Sequence, residues 1–231
     1  MQTIIQRWWK SILHRVTGVR KLHRQRNLEI CSTPDLWRQY FDDAEPEMRI
    51  QWDTWIWPMI RNANFTNVLE IGPGAGRNTA MLATMAKTIQ CVDLNEYPLE
   101  LCRTRFADHS GPCKITFHRN DGLTSPMIAD RSISLIYSWD AMVHCSKEVL
   151  HSYLAEFARV MRPGGIGFIH HSNLGTASPD LMLNTHYRAP MTKELFAEYC
   201  EPVGLRCIEQ RLITWGGVAD LDCMSLFTTR S

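Results

Sequence analysis

A chain of 231 residues suits one globular domain with at most an appendage, because single cores commonly reach this size before a chain splits into domains. Its 45% hydrophobic and 21% charged content excludes a wholly disordered, collagen-like or disulfide-scaffold protein, and no apolar run reaches the roughly 18 residues of a membrane span. The formal net charge is +1, yet residues 1–27 hold seven Lys/Arg and no Asp/Glu, so the remainder is net acidic and gives no support to a broad nucleic-acid footprint.

At ~100° per residue, Ile5, Trp8, Trp9, Ile12, Leu13 and Val16 share one side of a helix, with Arg7, Lys10, His14 and Arg15 on the other. Two uses fit this basic amphipathic segment: peripheral contact with an anionic bilayer, or cover for an apolar surface of the domain itself or of a second subunit. Residues 35–60 are aromatic-rich and expected to be helical on both sides of Pro46. Trp37, Tyr40, Trp52, Trp55 and Trp57 either wall a pocket or form plain core. The chain thus divides into an N-terminal helical extension and lid over 1–60 and a main domain over 61–231.

From residue 66 strands and helices alternate. Val68–Ile71 reads as a short buried strand, Gly72–Gly76 as a glycine loop and Arg77–Ala86 as a helix; Thr88–Val92 is a second strand ending at Asp93, followed by a helix over Glu96–Phe106. Ile115–His118 is a third strand and Ile133–Tyr137 a fourth, ending in Ser138-Trp139-Asp140. Ser146 can cap the next helix, whose buried stripe is Leu150, Tyr153, Leu154, Phe157 and Val160 and which Pro163-Gly164-Gly165 stops. Gly167–His171 is a fifth strand. After a long loop Thr192 can cap a helix to Glu201, and β-prone segments near 205–214 and 221–228 end the sequence. Such alternation implies crossover connections and a parallel sheet covered on both faces.

Polar clusters follow the strands, where ligand crevices of open α/β sheets lie. The loop Gly72-Pro-Gly74-Ala-Gly76 lets main-chain N–H groups approach a ligand closely, and Asp93, twenty-one residues after Gly72, can accept hydrogen bonds from both hydroxyls of a ribose. Arg77 stands where a dinucleotide fingerprint needs its third small residue, which disfavours a pyrophosphate cradle and with it a dehydrogenase.

The segment Val68-Leu-Glu-Ile-Gly-Pro-Gly-Ala-Gly76 resembles the first motif of the class I S-adenosylmethionine-dependent methyltransferases, and the likeness runs over roughly residues 50–231. Asp93 matches the family's ribose-binding acid, Asp121 its adenine-binding position and Arg162-Pro-Gly-Gly165 its turn before strand 5. The resemblance implies a Rossmann-like, doubly wound seven-stranded sheet, mostly parallel with an antiparallel last strand, with S-adenosyl-L-methionine as cofactor. It places the methionine end at Glu70 and the backbone of Gly72, Gly74 and Gly76, and the rest of the cofactor at Asp93, Leu94, Asp121, Gly122, Ser138 and Trp139. Trp139 either stacks on the adenine or packs on an acceptor. More narrowly, Ser138–His144, His170–Asn173, Arg188–Met191 and the Trp215-to-Phe227 stretch resemble bacterial methyltransferases of glycan and secondary-metabolite gene clusters, which suggests a small-molecule or glycan-type acceptor.

Moving a methyl to a hydroxyl oxygen requires alignment, exclusion of water and removal of a proton. His144 is the expected base, with Asp140 orienting it or binding the acceptor; if a helix begins there, their spacing puts both on one face. The alternative is that His144 only caps or packs. His170 and His171 point to opposite faces of a strand, so one of them at most faces the cleft, and His171 is the further catalytic candidate. Asn173, His186 and Arg188 can line an acceptor pocket or lid, with Arg188 suited to a carboxylate or phosphate. No metal is expected, although Asp140, His144 and one of the His170-His171 pair contain the residue types for one. No Asn/Asp-Pro-Pro-Tyr/Phe motif follows strand 4 and no second pocket cysteine accompanies Cys145, so nucleic acid is not the expected substrate. The eight cysteines form no CxxC pair and read as reduced core thiols. Without a signal-peptide pattern the expected location is the cytoplasm, with peripheral membrane contact or self-association through the basic segment. A non-enzymatic reading, a membrane-docked scaffold with a vestigial nucleoside fold, has the intact Glu70, glycines and Asp93 against it, and N- or C-methylation of a natural product is the other alternative.

Overall fold

The computed structural model describes residues 34–175 and 188–230. The basic segment before residue 28 and His186 lie outside that range. The first described helix is α1, Pro34–Ala44, followed by a nearly continuous helical stretch: α2 (Met48–Gln51), a π-helical turn (Trp52–Ile56) and α3 (Trp57–Ile60). The break between α1 and α2 falls at Pro46, as a ring without an N–H requires.

The sheet alternates with helices: β1 (Asn67–Ile71), α4 (Arg77–Ala83), β2 (Thr88–Asp93), α5 (Glu96–Arg105), β3 (Lys114–Arg119), β4 (Ile133–Ser138), a 3-10 turn (Met142–His144), α6 (Lys147–Val160), β5 (Met161–Ser172), α7 (Lys193–Cys200), β6 (Leu205–Trp215) and β7 (Val218–Thr229). The seven strands lie in the order β3-β2-β1-β4-β5-β7-β6. Pairing is parallel from β3 through β5, and β7 runs antiparallel to both β5 and β6. This is the Rossmann-like seven-stranded sheet with an antiparallel last strand. Strand order reverses beside β1, so the carboxyl ends of β1 and β4, joined by the Val68↔Leu135 to Glu70↔Tyr137 register, flank the switch-point crevice.

Alternation of side chains along each strand gives the sheet two buried faces. On one, Leu69, Ile71, Ile136, Ile169 and Phe227 meet the α6 stripe Leu150, Tyr153, Leu154, Phe157 and Val160 together with Phe196 of α7. On the other, Val68, Leu135, Tyr137, Phe168 and Leu226 meet Trp52, Ile56, Met59 and Ile60 of the N-terminal helices and Leu82 of α4. The aromatics of residues 52–57 are thereby mainly core: Trp52 stacks on Trp57 and lies against Tyr137.

Local signals held at the helix starts. Ser146 Oγ accepts the Val149 N–H at 3.4 Å and Thr192 Oγ1 the Leu195 N–H at 3.2 Å. Three differences from the sequence expectation bear on the site. α4 stops at Ala83, three residues early, in a turn where Thr84 Oγ1 donates to Met81 O. β5 starts at Met161 rather than Gly167, because Met161 already pairs with Ile133; Pro163-Gly164-Gly165, with Gly164 at φ 73°, bulges out of the ladder, and pairing resumes at Ile166 opposite Leu135. No α-helix starts at Asp140. That residue takes a left-handed φ of 55° and only the Met142–His144 3-10 turn follows, so Asp140 and His144 do not share a helix face. Among the described residues no helix is long and apolar enough to cross a membrane.

Candidate active site

The loop after β1 is built for glycine. Gly72, Gly74 and Gly76 have φ of 69°, 57° and 82°, a region that costs L side chains energy. They are also hemmed in from outside: a Cβ on Gly72 would collide with Ala141, one on Gly74 would lie 2.9 Å from the Phe41 ring, and one on Gly76 2.7 Å from Phe106. Gly72 N–H donates to Val92 O at 2.9 Å, which pins the loop to the end of β2. Above it lies a cleft of about 40 Å3, lined by Tyr40, Phe41, Gly74, Arg77, Asn78, Trp139 and Asp140 among others. Ligand pockets commonly run to ~300–1,000 Å3. On the α1 side the Phe41 ring covers Gly74.

The residues that the resemblance assigned to the cofactor fall into two groups. Asp93 and Leu94 at the end of β2 and Asp121 and Gly122 beyond β3 lie side by side: Asn120 N–H donates to Asp93 O, and Leu94 packs on Gly122. Asp93 Oδ1 accepts the Asn95 N–H at 2.8 Å, and burial lifts its carboxyl to about 6 against those main-chain hydrogen bonds. Asp121 is exposed, and its Oδ1 accepts from the N–H groups of Leu123 and Thr124 within its own turn. Trp139 edges the cleft, its indole N–H held by Gln51 Oε1 at 3.0 Å. Ser138 is buried, its hydroxyl donating to Ile71 O at 2.9 Å and fastening β4 to β1. Glu70 points under the loop, 2% exposed, with Oε2 accepting from Thr79 Oγ1 at 2.6 Å and from the Cys91 thiol at 3.7 Å. Burial raises its carboxyl to about 7 despite those bonds.

Around Asp140 the structure closes a ring of polar groups drawn from segments far apart in the sequence. Asp140 N–H donates to His170 Nδ1 at 3.2 Å, so the His170 hydrogen sits on Nε2, which faces Asp222 Oδ2 at 3.1 Å. Asp222 accepts Arg188 Nε at 2.8 and 3.0 Å through its two oxygens, and Arg188 Nη2 returns to within 3.8 Å of Asp140 Oδ1. The Asp140 carboxylate also accepts the Tyr40 hydroxyl and Arg77 Nη2, the latter at 3.3 Å. His170 lies between Trp139 and Trp215, with centroids 4.3 and 5.2 Å away, and Arg188 stands 5.4 Å over Trp215. Burial would push Asp222 up, but its hydrogen bonds to His170 and Arg188 and the charge of Arg188 outweigh it and hold the carboxyl below its usual range. Burial, reinforced by Asp140, moves the Tyr40 phenol well above its ordinary value.

The two neighbouring histidines part as the strand period requires. His170 joins the Asp140 ring, whereas His171 projects to the other face of the sheet, stacked on Phe196 at 4.4 Å with Nε2 2.8 Å from Ser225 Oγ. Burial depresses His171 to about 4. His144 is half-buried on the 3-10 turn, beside the Ala189 N–H to Val143 O bond, and does not line the cleft. Asn173 donates to Asp220 O and accepts from Lys193 N–H, which ties down the start of the loop after β5. Among the described residues no group of three His, Cys, Asp or Glu is placed to hold a metal ion. Sequence reasoning passed over Phe41 and Asn78, and reached Asp222 only as part of the Trp215-to-Phe227 stretch, with no role assigned to it. Asn78 had a signal, its place in the first turn of the helix after the glycine loop.

The donor set fits a nucleoside with an amino-acid tail: a raised carboxyl at the end of β2, a left-handed glycine loop, and a buried, unpartnered Oδ1 on Asn78 in the cleft wall. Residues 68–165, 98 of the 231, match a family described as a methyltransferase domain. No curated protein matches the sequence. Among solved structures, a Pyrococcus horikoshii protein is similar at 13% identity and TM-score 0.64, over 80% of this chain and 92% of that one. An S-adenosylmethionine-dependent methyltransferase from Clostridium acetobutylicum is similar at 13% identity and TM-score 0.64, over 85% and 100%. A TehB-like S-adenosylmethionine-dependent methyltransferase from Corynebacterium glutamicum gives 15% identity and TM-score 0.60, over 86% and 100%. At such identities these likenesses show the fold. The match over residues 68–165 supports methyl transfer with S-adenosylmethionine as the cofactor.

Proposed function

We propose that the enzyme methylates a hydroxyl oxygen on a small-molecule or glycan-type acceptor and that Asp140 receives the acceptor's O–H. The observation that carries this reading is the Tyr40 hydroxyl donating to the Asp140 carboxylate beside the glycine loop. An acceptor hydroxyl that took the place of Tyr40 would find the same oxygen, and a carboxylate accepting that bond is the arrangement general-base removal of a proton needs.

The cofactor, when bound, supplies an electrophilic methyl on a sulfonium sulfur. Gly72–Gly76 would hold its amino-acid end, and Asp93, Leu94, Asp121 and Gly122 its nucleoside. Trp139 closes one wall against water. Arg77 and Arg188 flank Asp140 and keep its two oxygens aimed, while the His170-Asp222 pair fixes its main chain. In this reading Asp140 replaces His144 as the first candidate base. His171 has no part in the chemistry, because it lies on the opposite face of the sheet. α1 serves as the lid, since Phe41 rests on Gly74 and must move for a ligand to enter.

The test is incubation of the enzyme with a metabolite pool and isotopically labelled S-adenosylmethionine, with mass spectrometry identifying what gains a methyl. Labelled product carrying the methyl on oxygen is expected; a methyl found on nitrogen or carbon overturns the hydroxyl assignment. Asp140→Asn should then lower kcat by about 100-fold or more, in the range of a lost general base, with little change in S-adenosylhomocysteine affinity. Undiminished turnover would remove Asp140 from its role. The proposed location is the cytoplasm, with residues 1–27 as the segment for peripheral membrane contact or self-association. Liposome flotation of the full chain and of a chain lacking those residues tests that part.

A further inference from the structure

Three side chains with carboxyl or amide oxygens line the cleft above the glycine loop, and two of them are spoken for. Both Glu45 carboxyl oxygens accept from Arg105, at 2.7 and 2.8 Å. Asp140 is held by Tyr40 and Arg77. The third is Asn78, in the first turn of α4, 4% exposed, whose Oδ1 is buried without a hydrogen-bond partner. A buried carbonyl oxygen left unsatisfied is unfavourable, so such an atom on a residue of the cleft wall marks a place where a donor is due. Glu70, the acid near the end of β1, is turned away beneath the loop and engaged by Thr79 and Cys91.

We infer that Asn78 Oδ1 accepts the ammonium group of the cofactor's methionine end, and that Asn78, in place of Glu70, is the residue by which this enzyme tells an amino-acid-bearing nucleoside from a truncated one. The assignment rests on the cofactor reading above. Arg77, next in the chain and directed into the same cleft toward Asp140, is the natural counterpart for the carboxylate of that end.

Calorimetry on the full chain with two ligands tests the inference: S-adenosylhomocysteine, which has the amino-acid tail, and 5′-methylthioadenosine, which lacks it. Asn78→Ala should weaken S-adenosylhomocysteine by about 10-fold or more, as for a lost hydrogen bond to a charged group, and leave 5′-methylthioadenosine within about twofold. Asn78→Asp keeps an oxygen in place and adds charge of the right sign, so it should bind S-adenosylhomocysteine at least as tightly as the wild type. Equal losses for both ligands, no loss for either, or weakened binding in Asn78→Asp would overturn the assignment while the cofactor reading stood. Failure of the wild-type protein to bind either ligand would overturn both.

Discussion

Asp140 illustrates how one residue is fixed from two sides. Its main-chain N–H is anchored through His170 to Asp222, and its carboxylate sits between Arg77 and Arg188, so a φ of 55° that a non-glycine residue would ordinarily avoid is over-determined by its neighbours. Cutting the ring at Asp222 leaves Arg188 and His170 buried without their shared acceptor. Asp222→Ala should therefore destabilise the fold by about 3–5 kcal/mol, the range for a broken buried pair, read as a drop in Tm. An unchanged Tm would mean the ring holds nothing. Glu70 gives a residue-scale prediction of opposite sign. Its folded carboxyl titrates near 7 against an ordinary value of 4.5, so the native state binds its proton more tightly than the unfolded chain. The stabilisation is whole below pH 4.5 and fades as pH rises through 7. Glu70→Gln, which keeps an acceptor for Thr79 and has no charge to lose, should match the wild type at pH 4.5 and exceed its stability by up to about 3 kcal/mol at pH 8. Thermal melts at the two pH values check this.

At the scale of elements, the described part of the N-terminal extension plays two structural roles. Residues 48–60 are inserted among Val68, Leu135 and Tyr137 as core. α1 instead reaches across the glycine loop through Phe41, Tyr40 and the Ala44 carbonyl, which accepts Arg77 Nη1 at 2.7 Å. A lid held by a few contacts opens more readily than an element sunk in the core. Phe41→Ala should accordingly speed association of S-adenosylhomocysteine, followed by stopped-flow fluorescence; slower association would show that Phe41 assists entry. At α6, a single cap governs the start of the helix that covers one sheet face. Ser146→Ala should cost about 1 kcal/mol, measured by denaturant unfolding. The Ser146 cap and the α6 stripe were legible because both signals lie within a few residues of one another. The end of α4 and the start of β5 were not, because a Thr84 side-chain bond and pairing across to β4 set those boundaries.

For the whole molecule, the sheet depends on how its one antiparallel strand, β7, closes against β5 at the edge of the parallel five. Gly167 in β5 lies under the Phe227 ring of β7, so closely that any Cβ there would overlap it. Phe227 in turn packs on Phe157 of α6 and Phe196 of α7. Gly167→Val should force β5 and β7 apart and lower stability by at least the roughly 1–3 kcal/mol of ordinary overpacking; a wild-type melting curve would show the contact to be soft. The alternating strand and helix pattern, the glycine loop, the acid ending β2 and the helix caps were written in the sequence, since each depends on residues close along the chain. Which polar groups meet was decided only in three dimensions. Tyr40, Arg77, Asp140, His170, Arg188 and Asp222 come from six separate elements and loops, and strand order with a two-residue side-chain period brought His170 into their ring and sent His171 to the far face. The same geometry turned Glu70 under its loop and left Asn78 facing the cleft, because the direction of a side chain is set by the neighbours packed around it, which spacing along the chain does not encode.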